Sequence, residues 1–485
     1  MKKLLNYFSI VFVCLLMTSC KKFVANMNVD PNNPTSAPVD LIFTAAEVND
    51  RAIDGANRVA IIANMWSSYM TGIGRQYLTY QTYQITSVEN SGLANVYEGV
   101  YVQLEKAIEK YQLINNQLGI GISKVIEAHV IGTATALYGD LPFSQASNYI
   151  EFPNPVFDQQ VQVYAGVQNL LDDGILALES GIGSLPDKTD IFFNGNAGKW
   201  IEVAHTLKAR FYTETKEYDK AYTEALNGIS SPSNSMLSPS TTISGMRNPY
   251  YVHQVETQPG DVNSKGAYLT SLLDPTNSNY RGNAKTSEDA RFHYYFILPG
   301  TIGGLTGDIE PNFFSVGRGD KFTGIIGMEV RAPLVTYYEN LLILAETAVR
   351  TKDFATALTH LNNFRNFMNS GGYIDPTYVA AFPLKYEPYV EADFENGGMK
   401  NLGGLDETQA LLKEVLEERY VTFFCQMLGF NDVRRTRKES VGVQLTPTIG
   451  DKLPERFLYD QEEITSNANI PNPQPGLFDP TPVNK

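Results

Sequence analysis

The stretch WIEVAHTLKARFY, residues 200–212, is followed after a short interval by KEYDKAYTEALNGI, residues 216–229. The chain repeats this grammar: YYENLLILAETAV, residues 337–349, runs into KDFATALTHLNNF, residues 352–364. In both places a long apolar segment with helical spacing meets a short polar break and then a second amphipathic segment. Tyr218 precedes Ala221 by three in the first copy, and Phe354 precedes Ala357 by three in the second. A small residue there lets two helices cross closely. Weaker copies are Leu104 before Ala107 and Leu171 before Gly174, where Gly replaces the expected Ala.

Helix, short turn, helix, repeated, resembles tetratricopeptide-type pairs, in which stacked units share one continuous core. The rest of the chain reads the same way. Ser36-Ala37-Pro38 suits a helix start, with Leu41, Ala45 and Val48 on one face. Val59, Ile62, Trp66 and Tyr69 mark a second helix ending at Gly72 and Gly74. Further helices are predicted over 97–114, 123–137, 163–178, 199–215, 219–228, 332–350, 354–369 and 406–426. The fold class is therefore all-α. Residues from about 230 to 321 differ: they are rich in Ser, Asn, Gly, Pro and Tyr, with few helical signals. So long a loop-rich insertion is commonly functional. The last stretch, LPERFLYDQEEITSNANIPNPQPG, reads as irregular.

The chain opens with MKKLLNYFSIVFVCLLMTSCKKF. Lys2 and Lys3, a short apolar run and the small Thr18-Ser19 form a secretory signal over residues 1–19. Cys20 stands where the mature chain would begin, where a thiol accepts a diacylglycerol. The leader resembles a bacterial lipoprotein signal, with Met17 in place of the usual Leu, Val or Ile; the alternative is an ordinary signal with a chance cysteine. Residues 20–37, polar and rich in Asn and Pro, read as a tether between a lipid and the body at 38–485. No second run of spanning length is expected. With Cys14 removed and Cys20 acylated, Cys425 is alone, and its setting in VTFFCQM suggests packing.

The net charge of −15 argues against nucleic acid as a partner. No HExxH, Walker or GxSxG pattern occurs, and the five histidines are scattered; no metal, cofactor or catalytic residue is indicated. PGTIGGLTGD, residues 299–308, reads as a mobile loop, and Arg318-Gly319-Asp320 as a chance tripeptide. Glu417-Glu418 and Glu462-Glu463 read as solvated faces. What stands out is aromatic: 28 Tyr and 25 Phe against 2 Trp. In GIGRQYLTYQTYQITSVENSG, Tyr77, Tyr80 and Tyr83 lie among amides and hydroxyls, with Trp66 and Tyr69 leading in. Flat rings beside hydrogen-bonding groups suit a sugar ring or an extended peptide. Tyr294, Tyr295, Phe314 and Arg318 could form an opposite wall. Against this, Trp66 and Tyr69 also fit an apolar stripe facing inward.

Several motifs together resemble the SusD/RagB family of nutrient-binding lipoproteins of Bacteroidetes. NMNVDPNNPTSAP is similar to its Asn-Asp-Pro-Asn-x-Pro lead. Tyr138-Gly139-Asp140-Leu141-Pro142-Phe143-Ser144-Gln145-Ala146 resembles its Gly-Asp turn. Leu207-Lys208-Ala209-Arg210, YYENLLILAETAV and HLNNFRN resemble its helices. Asn431-Asp432-Val433-Arg434-Arg435-Thr436 resembles an Asp-x-Arg-Arg-Thr turn, and Leu453-Pro454-Glu455-Arg456-Phe457 its closing motif, with Asp460 where a proline is usual. The resemblance implies tetratricopeptide-like units bearing an elaborated ligand face, no catalysis, and lipid anchorage in the outer membrane, exposed at the cell surface. It also implies a SusC-like TonB-dependent transporter barrel as partner, receiving oligosaccharide or peptide. Asp140, Pro142, Asp432 and Arg434 are expected to hold structure. The rival readings are a glycoside hydrolase on a helical scaffold and a helical-repeat protein-docking scaffold.

Overall fold

A computed structural model describes residues 37–54, 58–89, 92–148, 150–318 and 322–485. Cys20, the leader and nearly all of the tether lie outside the described residues. The longer helices are α1 (Val39–Asp54), α2 (Arg58–Trp66), α3 (Arg75–Gln81), α4 (Val102–Leu113), α5 (Gln117–Tyr138), α6 (Gln160–Glu179) and α7 (Ala197–Glu214). They continue with α8 (Tyr218–Ala225), α9 (Asp289–Tyr295), α10 (Tyr337–Thr351), α11 (Phe354–Asn369), α12 (Glu407–Thr422) and α13 (Leu428–Thr436). The all-α expectation holds. Helices α1, α4, α5, α6, α7, α8, α10 and α11 pack in succession, each on the next, and α12 covers α10.

Each end has a local cause. Asn116, Asn196, Asp353 and Asp406 accept from backbone N–H groups in the first turns of α5, α7, α11 and α12. The small residues sit where the pattern required them: Ala107, Ala221 and Ala357 are fully buried. Gly174 replaces alanine because α6 touches α5 there. A Cβ on Gly174 would stand 3.2 Å from the Gly121 carbonyl oxygen, and one on Gly121 would stand 2.9 Å from that of Gly174.

Four expectations are corrected. Residues 332–335 are not helix: Ala332–Val335 forms a strand, β2, antiparallel to Met236–Ser238, β1. The helix waits for Thr336, whose Oγ1 accepts from Glu339 N (3.1 Å) while Glu339 Oε2 accepts from Thr336 N (3.4 Å). The expected Asp-x-Arg-Arg-Thr turn is helix α13. A second run of spanning length does exist: α5 is long and apolar enough to cross a membrane, but 94% of its 18-residue apolar window is buried, as in a core helix. Glu418 is no solvated carboxylate. It is buried against Arg281 (2.8 Å) and Arg291 (2.8 Å), with Glu417 on Arg281 (2.9 Å).

The motif residues tie elements together. Arg210 on α7 grips Glu339 on α10 through Nε and Nη2 (2.6 and 2.7 Å). Arg435 grips Glu346 on α10 (2.6 and 2.9 Å) and Asp432, which also binds Arg419. Arg434 donates to the carbonyls of Ala136 and Glu455, and Asp140 Oδ1 accepts from Gln160 N. The insertion between α8 and α10 holds short helices, among them α9 and Tyr268–Leu273, pinned by two-residue antiparallel ladders.

Candidate functional site

The insertion folds back over the start of α10 and the end of α11, leaving a cavity of about 570 Å³. Its floor is Tyr337 and Tyr338 from the first turn of α10, Phe367 from α11, and Tyr373 from the turn that follows. Its walls are Tyr250, Tyr294 at the end of α9, the β1–β2 ladder and the segment 322–333. The Thr336–Glu339 cap fixes where the two floor tyrosines emerge. Tyr337 meets Phe367 edge-on (centroids 5.4 Å apart), and Tyr338 lies against Tyr373 (4.8 Å).

The polar atoms divide into used and unused. Tyr373 shares a hydrogen bond with Tyr295 (2.8 Å), and Tyr338 Oη accepts weakly from Gln426 (3.4 Å). Among the described residues the hydroxyls of Tyr294 and Tyr337 have no hydrogen-bond partner. Thr323 Oγ1 is buried on the lining and also lacks one. Burial raises the phenol pKa of Tyr294, Tyr337, Tyr338 and Tyr373, so at neutral pH each keeps its proton as a donor. Charge is confined to Glu329, Arg331 and Asp375; Asp375 Oδ1 already accepts from Thr377 N (3.0 Å), and Arg331 donates to the Leu237 carbonyl (2.7 Å). Apolar ring faces with free hydroxyls and few charges suit a neutral polyol.

The expected site residues fall in three groups. Trp66, Tyr69, Tyr77, Tyr80 and Tyr83 are buried, not exposed. Trp66 stacks on Phe457 (4.8 Å) and donates to the Tyr80 carbonyl (3.0 Å). Tyr69 donates to the Tyr420 carbonyl (2.6 Å), Tyr77 bonds His253 Nε2 (2.6 Å), and Tyr83 Oη accepts from Thr448 N (2.8 Å). Tyr77 and Tyr80 meet edge-on, 5.6 Å apart. Their expected wet face is thus occupied by the chain itself. Burial pushes the Tyr77 phenol up to about 12 and the His253 imidazole down to about 4.

Of the opposite wall, Tyr294 lines the cavity, Tyr295 stands behind it through Tyr373, and Phe314 stacks with the lining Phe322 (6.4 Å). The side chain of Arg318, beside the undescribed 319–321, is outside the described part. Tyr337, Tyr338 and Tyr373 went unnoticed in the sequence, although Thr336-x-x-Glu339 marked where their helix begins. Cys425, expected to pack, is buried on the lining with φ +60°; its N–H donates to Asn64 Oδ1 (3.0 Å), and burial raises its thiol pKa.

The architecture is one of stacked helix pairs carrying a roofed aromatic cavity. Residues 31–459 match a family model, SusD-like_2, described as starch-binding associating with outer membrane, and the chain belongs to that SusD-like family. No curated protein matches it. Among solved structures, a SusD/RagB family protein from Bacteroides thetaiotaomicron is similar, with a TM-score of 0.63 at 18% identity over 90% of this chain and 95% of that one. A SusD homolog from Bacteroides fragilis gives a TM-score of 0.64 at 17% identity over 93% of this chain and 100% of that one. A chitin-binding SusD homolog from Flavobacterium johnsoniae gives 0.62 at 15% identity over 88% and 94%. At such identities the likeness is one of fold.

Proposed function

We propose that the chain binds a neutral oligosaccharide in the cavity between α10, α11 and the insertion. It would hold the ligand without cleaving it and pass it to a TonB-dependent outer-membrane barrel. The observation that carries this reading is the pair of unpartnered hydroxyls, Tyr294 and Tyr337, on an otherwise aromatic lining. The starch-binding description of the family and the chitin-binding relative favour glycan over peptide. Lipid attachment at Cys20, outer-membrane residence and display at the cell surface belong to the same proposal, supported by the leader and by the family's description. A few stacked and hydrogen-bonded rings give an affinity of about micromolar to millimolar, weak enough for release.

Calorimetry with starch- and chitin-derived oligosaccharides and with tripeptides tests it. One glycan series should bind without accumulation of shorter products, and Tyr337→Ala should weaken it by about tenfold or more. Binding of peptides alone, or unchanged binding by Tyr337→Ala and Tyr294→Ala, would contradict the assignment.

A further inference from the structure

Four helix ends meet at one pole of the stack. Phe43 near the start of α1 packs edge-on against Tyr111 near the end of α4 (6.1 Å), while at the far end of α1 Asn49 donates to the Gly99 carbonyl (3.0 Å). The two segments are therefore antiparallel. Asn116 N donates to the Tyr111 carbonyl (2.9 Å), and Asn116 Nδ2 donates to the Ser184 carbonyl (2.8 Å). Leu118 N donates to the Ile182 carbonyl (3.0 Å). The end of α4, the start of α5 and the turn after α6 are thus fastened together beside the start of α1.

This pole has an unusual surface. Leu113 is 86% exposed, Ile114 66%, Leu41 65% and Ile182 45%. Residues 111–123 and 180–186 contain no charged side chain, in a protein whose net charge is −15. Asp40, beside Leu41 and close to Tyr111, is the charge at this pole; exposed aliphatics on segments otherwise free of charge mark an interaction surface, and the chain itself indicates its occupant. The described residues begin at Ala37 and enter α1 at this pole. Cys20 lies only the residues 20–36 away, at most about 60 Å when fully extended.

We propose that this pole rests on the outer-membrane surface, with Leu113, Ile114, Leu41 and Ile182 dipping into the lipid interface. The proposal rests on the lipid-anchor part of the function proposed above. The anchor holds the protein at the membrane, and the pole sets which way it faces. Contact is hydrophobic, so it does not depend on anionic headgroups.

The test uses the full lipidated chain in vesicles of phosphatidylethanolamine and phosphatidylglycerol carrying a nitroxide lipid. An environment-sensitive fluorophore is placed at Leu113→Cys or at Leu402→Cys; both parent side chains are more than four-fifths exposed, whereas the native Cys425 is buried. Interfacial side chains lie about 5–10 Å into the headgroup boundary, so the probe at 113 should be quenched at least about twofold more than that at 402, in low and in high salt. Equal quenching at the two positions would overturn the proposal, as would loss of the difference in high salt. The anchor is read separately: a Cys20→Ala chain still retained in cell membranes would contradict the anchor and with it the premise of this proposal, whereas equal quenching at 113 and 402 of the lipidated chain would contradict the pole alone.

Discussion

At the scale of single residues, Asp460 shows how a departure from a family pattern is accommodated. It stands where a proline is usual, and its Oδ2 accepts from Leu93 N (2.9 Å) and Ala94 N (3.4 Å). Burial pushes its carboxyl up to about 7, against the opposing pull of those two amides. A carboxyl raised in the folded state contributes stability that is complete below its unfolded value and is lost as pH rises through the folded value. Asp460→Asn should therefore gain stability relative to wild type between about pH 4 and pH 7, by roughly 2–4 kcal/mol. Urea melts across that range read this directly; a constant difference between the two proteins would contradict it. The aromatic residues carry the lesson about legibility. Rings at 66, 69, 77, 80 and 83 looked exposed because they alternate with amides and hydroxyls. The hydroxyls of Tyr69, Tyr77 and Tyr83 are met by Tyr420, His253 and Thr448, which lie far away in the chain. Glu418 misled in the same way, since its arginines belong to the insertion. Local sequence shows that a polar atom exists, and only the fold shows what satisfies it.

At the scale of elements, the paired helices were legible because period and break agreed. The quoted segments became α7 with α8 and α10 with α11, and Gly174 marked a close approach of two backbones, where an added Cβ would be tight. The first strand-forming residues before α10 were misread as helix because Ala332 and Leu334 continue an apolar run; the capping pair Thr336 and Glu339 was the decisive signal. Glu339 serves twice, as cap and as the carboxylate for Arg210, and both side chains are buried. Glu339→Ala removes the bidentate carboxylate from a buried guanidinium, which keeps its bond to the Leu334 carbonyl (2.6 Å), and should cost about 3–5 kcal/mol. The double change Arg210→Met, Glu339→Leu removes both charges and should recover most of that, leaving about 1 kcal/mol for the lost cap. Chemical denaturation of the three proteins checks this; a double variant as unstable as Glu339→Ala would show that the ion pair is not the cause.

At the scale of the whole molecule, stacked helix pairs supply a rigid base, and a loop-rich insertion closes over its edge. The helical class was legible from periodicity and the family from the number and order of short motifs, several of which anchor a contact between distant elements. The cavity was not, because its floor comes from α10 and α11 and its roof from residues 232–333, which only folding brings together. Of the expected contacts whose side chains are described, Tyr294 alone lines it. The account's central claim is that this space holds the ligand. A crystal structure with a binding oligosaccharide tests it most directly: the account predicts sugar density against Tyr294 and Tyr337, within hydrogen-bond distance of both hydroxyls. Density elsewhere, with those two hydroxyls still facing an empty cavity, would contradict it.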